Sequence, residues 1–230
     1  MTREIVLDTE TTGLDPAEGH RIIEIGCIEL IDHVPTEKSL QIYINPERLI
    51  PVESQKVHGI SDEFIADKPV FAAVVEEFLD FIGDDPLVIH NAGFDIKFLN
   101  AELARVGKPP IPFARAIDTI DIAKAKFPGA RYSLDELCKR FGIDLTSRSK
   151  HGALLDSSLL AQVYLELIGG RQTRLSLTPA GFGADGADGA SRPARARPEA
   201  LPPRLSEAEL ARHEAFVAKE LGDSALWAAR

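Results

Sequence analysis

Over its first 168 residues the chain alternates between short apolar runs and stretches in which apolar residues recur every three or four positions. This alternation constrains the fold more than any other feature, because it calls for an α/β domain with strands and helices in layers. Residues 5–7 are an apolar run ending at Asp8, with Thr11, Thr12 and Gly13 as the turn. Residues 21–31 form a second strand, interrupted only by Glu24 and Glu29. Residues 40–44 form a third, closed by Asn45 and Pro46. The short connections among these three favour an antiparallel meander. Val70, Phe71, Val74, Val75, Phe78, Leu79 and Ile82 then recur at helical spacing up to Gly83. A fourth strand at 87–89 is followed by a helix over 94–106, closed by Gly107, Pro109 and Pro110. Residues 116–119 suit a short fifth strand. Ser133 and Glu136 form a capping box that opens a helix ending at Gly142, and a last long helix covers 153–168.

Composition changes after Gly169 and Gly170. Residues 178–203 hold seven Ala, four Gly and five Pro, so 16 of 26 are small or helix-breaking and no apolar periodicity survives. That segment reads as a flexible linker. Structure resumes at Ser206, which with Glu209 makes a second capping box, while Leu205 and Leu210 are placed for a hydrophobic staple. Leu210, Phe216, Val217 and Leu221 give one apolar flank, followed by Trp227. A helix this short cannot bury that flank alone, so it asks for a partner. No run of 18 uncharged apolar residues exists, and the amino terminus reaches Glu4 and Asp8 too soon for a signal-peptide core. Cys27 and Cys138 are too few for a disulfide scaffold, which favours a cytoplasmic location. The net charge of −10 argues against coating nucleic acid by charge alone, but not against gripping a few phosphates through metal ions.

The acids themselves suggest such a grip. Asp8 and Glu10 lie two residues apart on a strand and point to one face. They repel one another unless a cation sits between them. Alone, the pair is as well explained by a polar loop. Asp95 lies in the first turn of the helix after the fourth strand, where an acid also suits the helix dipole. Asp156 lies on the apolar face of the last helix with Leu160, Val163 and Leu167, a costly place unless it is paired or binds metal. His151 precedes it by five residues, beside Gly152. Four acids and a histidine from separate elements suit two divalent ions about 4 Å apart, with His151 taking the proton from an attacking water. In that arrangement Asp8 bridges the ions, Glu10 and Asp156 complete one site and Asp95 the other.

The segments Asp8-Thr9-Glu10-Thr11-Thr12-Gly13, His90-Asn91-Ala92-Gly93-Phe94-Asp95 and His151-Gly152-Ala153-Leu154-Leu155-Asp156 resemble the three exonuclease motifs of the DEDD superfamily, histidine branch. Val57-His58-Gly59-Ile60 matches as well. Within that superfamily the likeness is greatest to the proofreading subunits of bacterial DNA polymerase III. It covers roughly residues 3 to 170 in register and continues more loosely to the end. It implies a ribonuclease H-like fold, a five-stranded mixed sheet with helices on both faces, followed by a flexible linker and a short helical tail. It also implies two Mg2+ or Mn2+ ions on Asp8, Glu10, Asp95 and Asp156, with His151 as general base. Glu53 and His58 match positions that contact the terminal nucleotide. Phe94 would pack near its base or sugar, a role that competes with a plain core aromatic. Thr11 and Thr12 would offer backbone N–H groups to the 3′ end. The implied reaction is 3′–5′ hydrolysis of a single-stranded or frayed DNA end.

The resemblance also implies partners. It divides the chain into an exonuclease domain (1–170), a clamp-binding motif (171–177), a linker (178–203) and a polymerase-binding tail (204–230). Gln172, Leu175 and Leu177 are similar to short motifs that dock on the sliding clamp, although a plain linker start explains them equally well. Leu210, Phe216, Leu221 and Trp227 would anchor the polymerase alpha (catalytic) subunit. Some relatives bind a theta-like accessory subunit as well. Two alternatives are an RNA-trimming 3′–5′ exoribonuclease of the same superfamily and a non-catalytic tether of polymerase to clamp. The tail disfavours the first and the complete acid set disfavours the second.

Overall fold

The structure is a computed structural model that describes residues 1–146, 150–170 and 206–221, the side chain of Leu221 excepted. Gln172, Leu175, Leu177, Leu205, the linker and Trp227 lie outside the described residues. Five strands form one mixed sheet in the order β3-β2-β1-β4-β5. They are β1 (Arg3–Thr11), β2 (Ile22–Ile31), β3 (Val34–Tyr43), β4 (Leu87–Ile89) and β5 (Ala116–Asp118). The first three make the expected antiparallel meander, and β4 and β5 add in parallel beside β1. Asp32 and His33 both take positive φ at the β2–β3 turn, which matches the right-handed twist of a tight hairpin.

Two strands are longer than their apolar runs. β1 continues through Asp8 to Thr11 because the ladder with β2 persists beyond the core. β3 begins at Val34, six residues before its expected start. As an edge strand it exposes most of Val34–Ser39, so no burial pattern marks it in the sequence. The helices α3 (Phe71–Ile82), α4 (Ala92–Arg105), α6 (Leu134–Phe141) and α7 (Ala153–Leu167) fall where periodicity placed them. Three others carry too few buried residues to show a period: α1 (Val52–His58), α2 (Asp62–Ile65) and α5 (Thr119–Lys126). Ser133 caps α6 through the Glu136 N–H, but the Glu136 carboxylate turns to Lys139 at 3.1 Å, so the expected box is only half formed.

Helices cover both faces of the sheet. Ile5, Leu7, Leu87 and Ile89 pack against α3 and α4 through Phe71, Phe78, Phe98 and Leu99. Val6 and Val88, pointing the other way, pack against α6 and α7 through Leu137, Leu160 and Val163. With both faces buried, β1 and β4 read as continuous apolar runs rather than alternating ones. A third small cluster, Ile23, Ile50, Ile60 and Ile65, seats α1 and α2 beside the sheet. Arg21 reaches across to the buried Glu102 of α4 with two hydrogen bonds of 2.6 and 2.8 Å. This pair fixes α4 to the start of β2, and the removal of Arg21 would leave a buried charge unmatched.

The carboxy-terminal unit contains α8 (Glu207–Phe216), followed by a π-helical turn, Val217–Leu221. The Ser206–Glu209 capping box is complete, and no residue of α8 is buried. Leu210 and Phe216 are exposed, as the apolar flank predicts. Among the described residues no helix is long and apolar enough to cross a membrane.

α7 crosses β2 at Gly26. A Cβ there would lie 2.2 Å from the Ala153 carbonyl carbon, which is backbone and cannot swing aside. Gly26→Ala should therefore destabilise the domain by about 1–3 kcal/mol or more, read as a lower midpoint in urea or heat. An unchanged midpoint would mean that α7 does not dock this closely.

Candidate active site

β1 ends with Asp8 and Glu10 on the face that α7 covers, as alternation along a strand requires. Asp156 stands in the first turn of α7 and is 3% exposed. Glu10, His151 and Asp156 each bring a ligand atom within 4.8 Å of the others. His151 Nδ1 lies 3.1 Å from Asp156 Oδ2. Asp95 arrives from α4, on the opposite face of the sheet. Its Oδ1 accepts a 2.7 Å hydrogen bond from the Thr9 hydroxyl, and it is 3% exposed. The four acids thus converge from both layers on the carboxy-terminal end of one strand.

Two of the acids hold their protons more tightly than free carboxylates, chiefly because they are buried. Burial, then the charges of Asp95, Glu10, Asp156 and Glu24, push Asp8 well above the usual carboxylate range. Burial pushes Asp95 up to about 7; the Thr9 hydrogen bond opposes the shift and the Asp118 charge adds to it. Carboxylates held together against such a cost, all of them hard oxygen donors beside one imidazole, fit divalent cations.

Two cavities flank the acids. One, of about 350 Å³, is lined by Asp8, His90, Asn91, Ser133, His151 and Asp156. The other, of about 330 Å³, is lined by Glu10, Thr11, Leu14, Glu53, His58 and Phe94. Both fall in the size range of small-molecule pockets. In the second, His58 is 6% exposed and its Nδ1 accepts the Ile60 N–H at 3.0 Å. The proton therefore sits on Nε2, which is buried and has no hydrogen-bond partner among the described residues. Burial first, then the charges of Lys150 and His151, lower the His58 pKa to about 4, so this donor is neutral at ordinary pH. Phe94 lines the cavity and also packs against Phe98, with the ring centroids 4.9 Å apart and the planes tilted.

One expectation is corrected. Thr12 offers nothing to a ligand: its N–H is given to the Arg21 carbonyl at 2.9 Å. Its hydroxyl accepts the Arg21 N–H, and the residue is fully buried. The register of β1 against β2 shifts between Glu10 and Thr11, just before this residue. Sequence reasoning also missed two supports. Thr9 was only the spacer between two acids. Asp118, at the end of β5, accepts the N–H groups of Asn91, Ala92 and Ile120, and so caps both α4 and α5. Asn91 holds a left-handed conformation at φ 67°, which places the α4 start beside the acids. An Asp before a helical run is a legible cap for α5, but its second helix was not visible.

Without metal, the folded chain keeps a proton on Asp95 that the unfolded chain releases near pH 4. That stabilising contribution is full below about pH 4 and is lost as pH rises through about 7. Asp95→Asn carries no such loss. In urea titrations with EDTA its stability relative to the parent chain should grow between about pH 4 and 7, and saturating Mn2+ should reverse the order. A difference that is flat across this window would contradict the crowding.

Comparison with known proteins accords with this geometry. A model of the Exonuclease family matches residues 5–164. The DNA polymerase III subunit epsilon of Rickettsia typhi is 57% identical over 178 residues, covering 76% of this chain and 78% of the relative. That of Salmonella typhimurium is 45% identical, covering 100% and 98%, and that of Escherichia coli is 43% identical with the same coverage. Among solved structures, Exonuclease X in complex with 5′ overhanging duplex DNA superposes with a TM-score of 0.58 at 26% identity, covering 72% of this chain and 90% of that one. The nuclease domain of 3′hExo, a DEDDh family member bound to rAMP, shares the fold at a TM-score of 0.63 and 22% identity, covering 72% and 91%. The chain belongs to the exonuclease family and, within it, to the DNA polymerase III epsilon subunits.

Proposed function

We propose that the acid cleft removes nucleotides one at a time from the 3′ end of DNA, as the proofreading exonuclease of DNA polymerase III. The observation that carries this reading is the convergence of Asp8, Glu10, Asp95 and Asp156 between two cavities. Two divalent cations, Mg2+ or Mn2+, held by these four acids would neutralise the phosphate and activate water at neutral pH. His58 Nε2–H, which has no partner among the described residues, donates to the terminal nucleotide. Glu53 faces the same cavity, and Phe94 supplies an apolar wall. His151, with its ring oriented by Asp156, takes the proton from the attacking water. The bond from phosphorus to the 3′ oxygen of the preceding nucleotide breaks, and a 5′-mononucleotide leaves. A mispaired end frays at lower cost than a paired one, so selectivity needs no reading of the base.

The exposed apolar side chains of α8, Leu210 and Phe216, support a tail that docks on the polymerase alpha subunit, together with Leu221 and Trp227. Gln172, Leu175 and Leu177 are the corresponding residues for the sliding clamp. A theta-like subunit remains a further partner of this reading.

Asp8→Ala combined with Glu10→Ala should lower metal-dependent release of nucleotides from a mispaired primer by at least about 10³-fold, with the circular dichroism of the parent chain. Undiminished release would defeat the site. A chain ended at Gly170 should keep nuclease activity but no longer co-purify with the polymerase subunit, and retained binding would reject the tail assignment.

A further inference from the structure

Glu24 is the third residue of β2, between Ile23 and Ile25, and is 2% exposed. A carboxylate there is costly to bury, and it lies in register opposite Glu10, where its charge adds to the repulsion on Asp8. Its hydrogen bonds show what offsets that cost. Oε2 accepts the N–H of Ala153, the first residue of α7, at 3.2 Å, and Oε1 accepts the Gln41 amide at 2.8 Å. α7 has no cap of its own, because its N-cap residue is Gly152, which carries no side chain. Glu24 supplies the missing acceptor from 129 residues away. One pleat along, Ser157 of α7 donates to the Gly26 carbonyl at 2.9 Å, and Gly26 admits the helix to van der Waals contact. Asp156 and His151 stand on either side of the N-terminus held in this way.

We propose that Glu24 is a positioning residue: by capping α7 from β2, it sets where Asp156 and His151 stand relative to Glu10. The inference rests on the reading of the acid cleft as a metal-dependent nuclease. The reach of the side chain makes the cap, whereas its charge only adds to the repulsion on Asp8 and is not what positions α7. Glu24→Gln keeps the reach and an acceptor, and the exposed Gln41 amide can turn to meet it. Glu24→Asp keeps the charge but is one methylene too short for the Ala153 N–H. Glu53, His58 and Phe94, which line the neighbouring cavity, belong to α1 and α4 rather than to α7, so neither variant moves them through the cap.

The test uses the full chain and its two variants, with direct Mn2+ titration by electron paramagnetic resonance, hydrolysis of thymidine 5′-(p-nitrophenyl phosphate), and hydrogen exchange at the Ala153 amide. Glu24→Gln should stay within about threefold of the parent chain in Mn2+ affinity and kcat. Glu24→Asp should lose roughly 10–100-fold in both, with KM within about threefold and the Ala153 amide exchanging fast. If Glu24→Asp equals or exceeds Glu24→Gln, the charge matters and not the cap, and the proposal is overturned. A loss in melting temperature with Mn2+ affinity unchanged overturns it as well. If the parent chain hydrolyses nothing yet the exchange pattern holds, the nuclease reading fails and the cap stands.

Discussion

Like charges confined to one strand end govern this structure. Asp8 and Glu10 project from the end of β1, and α4 and α7 bring Asp95 and Asp156 to them from opposite faces of the sheet. Burial raises the proton affinities of Asp8 and Asp95, and at Asp8 the charges of Asp95, Glu10, Asp156 and Glu24 add to it. The fold must therefore hold the acids against their own repulsion. It does so with two apolar layers of helices on a sheet whose central strands are buried on both sides.

Hydrogen bonds then fix each helix in place. α4 is tied at its start by Asp118, along its length by the Arg21–Glu102 pair, and at Asp95 itself by Thr9. α7 is tied by Glu24 and Ser157 to the strand that carries Gly26. The His151 N–H reaches the Val57 carbonyl of α1 at 3.2 Å, so the histidine loop touches the helix that lines the neighbouring cavity. Several of these supports are themselves buried acids. A protein with net charge −10 can still handle a phosphodiester in this way, through a few neutralised contacts rather than a basic groove.

Much of the site was legible in order of sequence. The Asp8–Glu10 spacing, the first-turn position of Asp95 and the acid on the apolar stripe of α7 each violate an expectation for a plain structural residue. Thr9, Asp118 and Glu24 gave no such signal, because their partners are 86, 27 and 129 residues distant at the farthest. Glu24 was visible only as an interruption in a strand. The Thr12 N–H is taken by the Arg21 carbonyl, a partner nine residues on that no local pattern announces. β3 was cut short for a related reason: an edge strand buries too little to show alternation.

The sequence alone determined the central strands and the long helices, and it singled out the four acids and the histidine as candidates. Local propensity, capping and burial period act over a few residues, so they can be read from a few residues. Only the tertiary structure decided that the acids approach from both faces of the sheet, that the His58 donor lacks a partner among the described residues, and that α7 takes its cap from another strand. Each of these depends on which distant groups are brought within about 3 Å of one another, a distance set by how the layers pack.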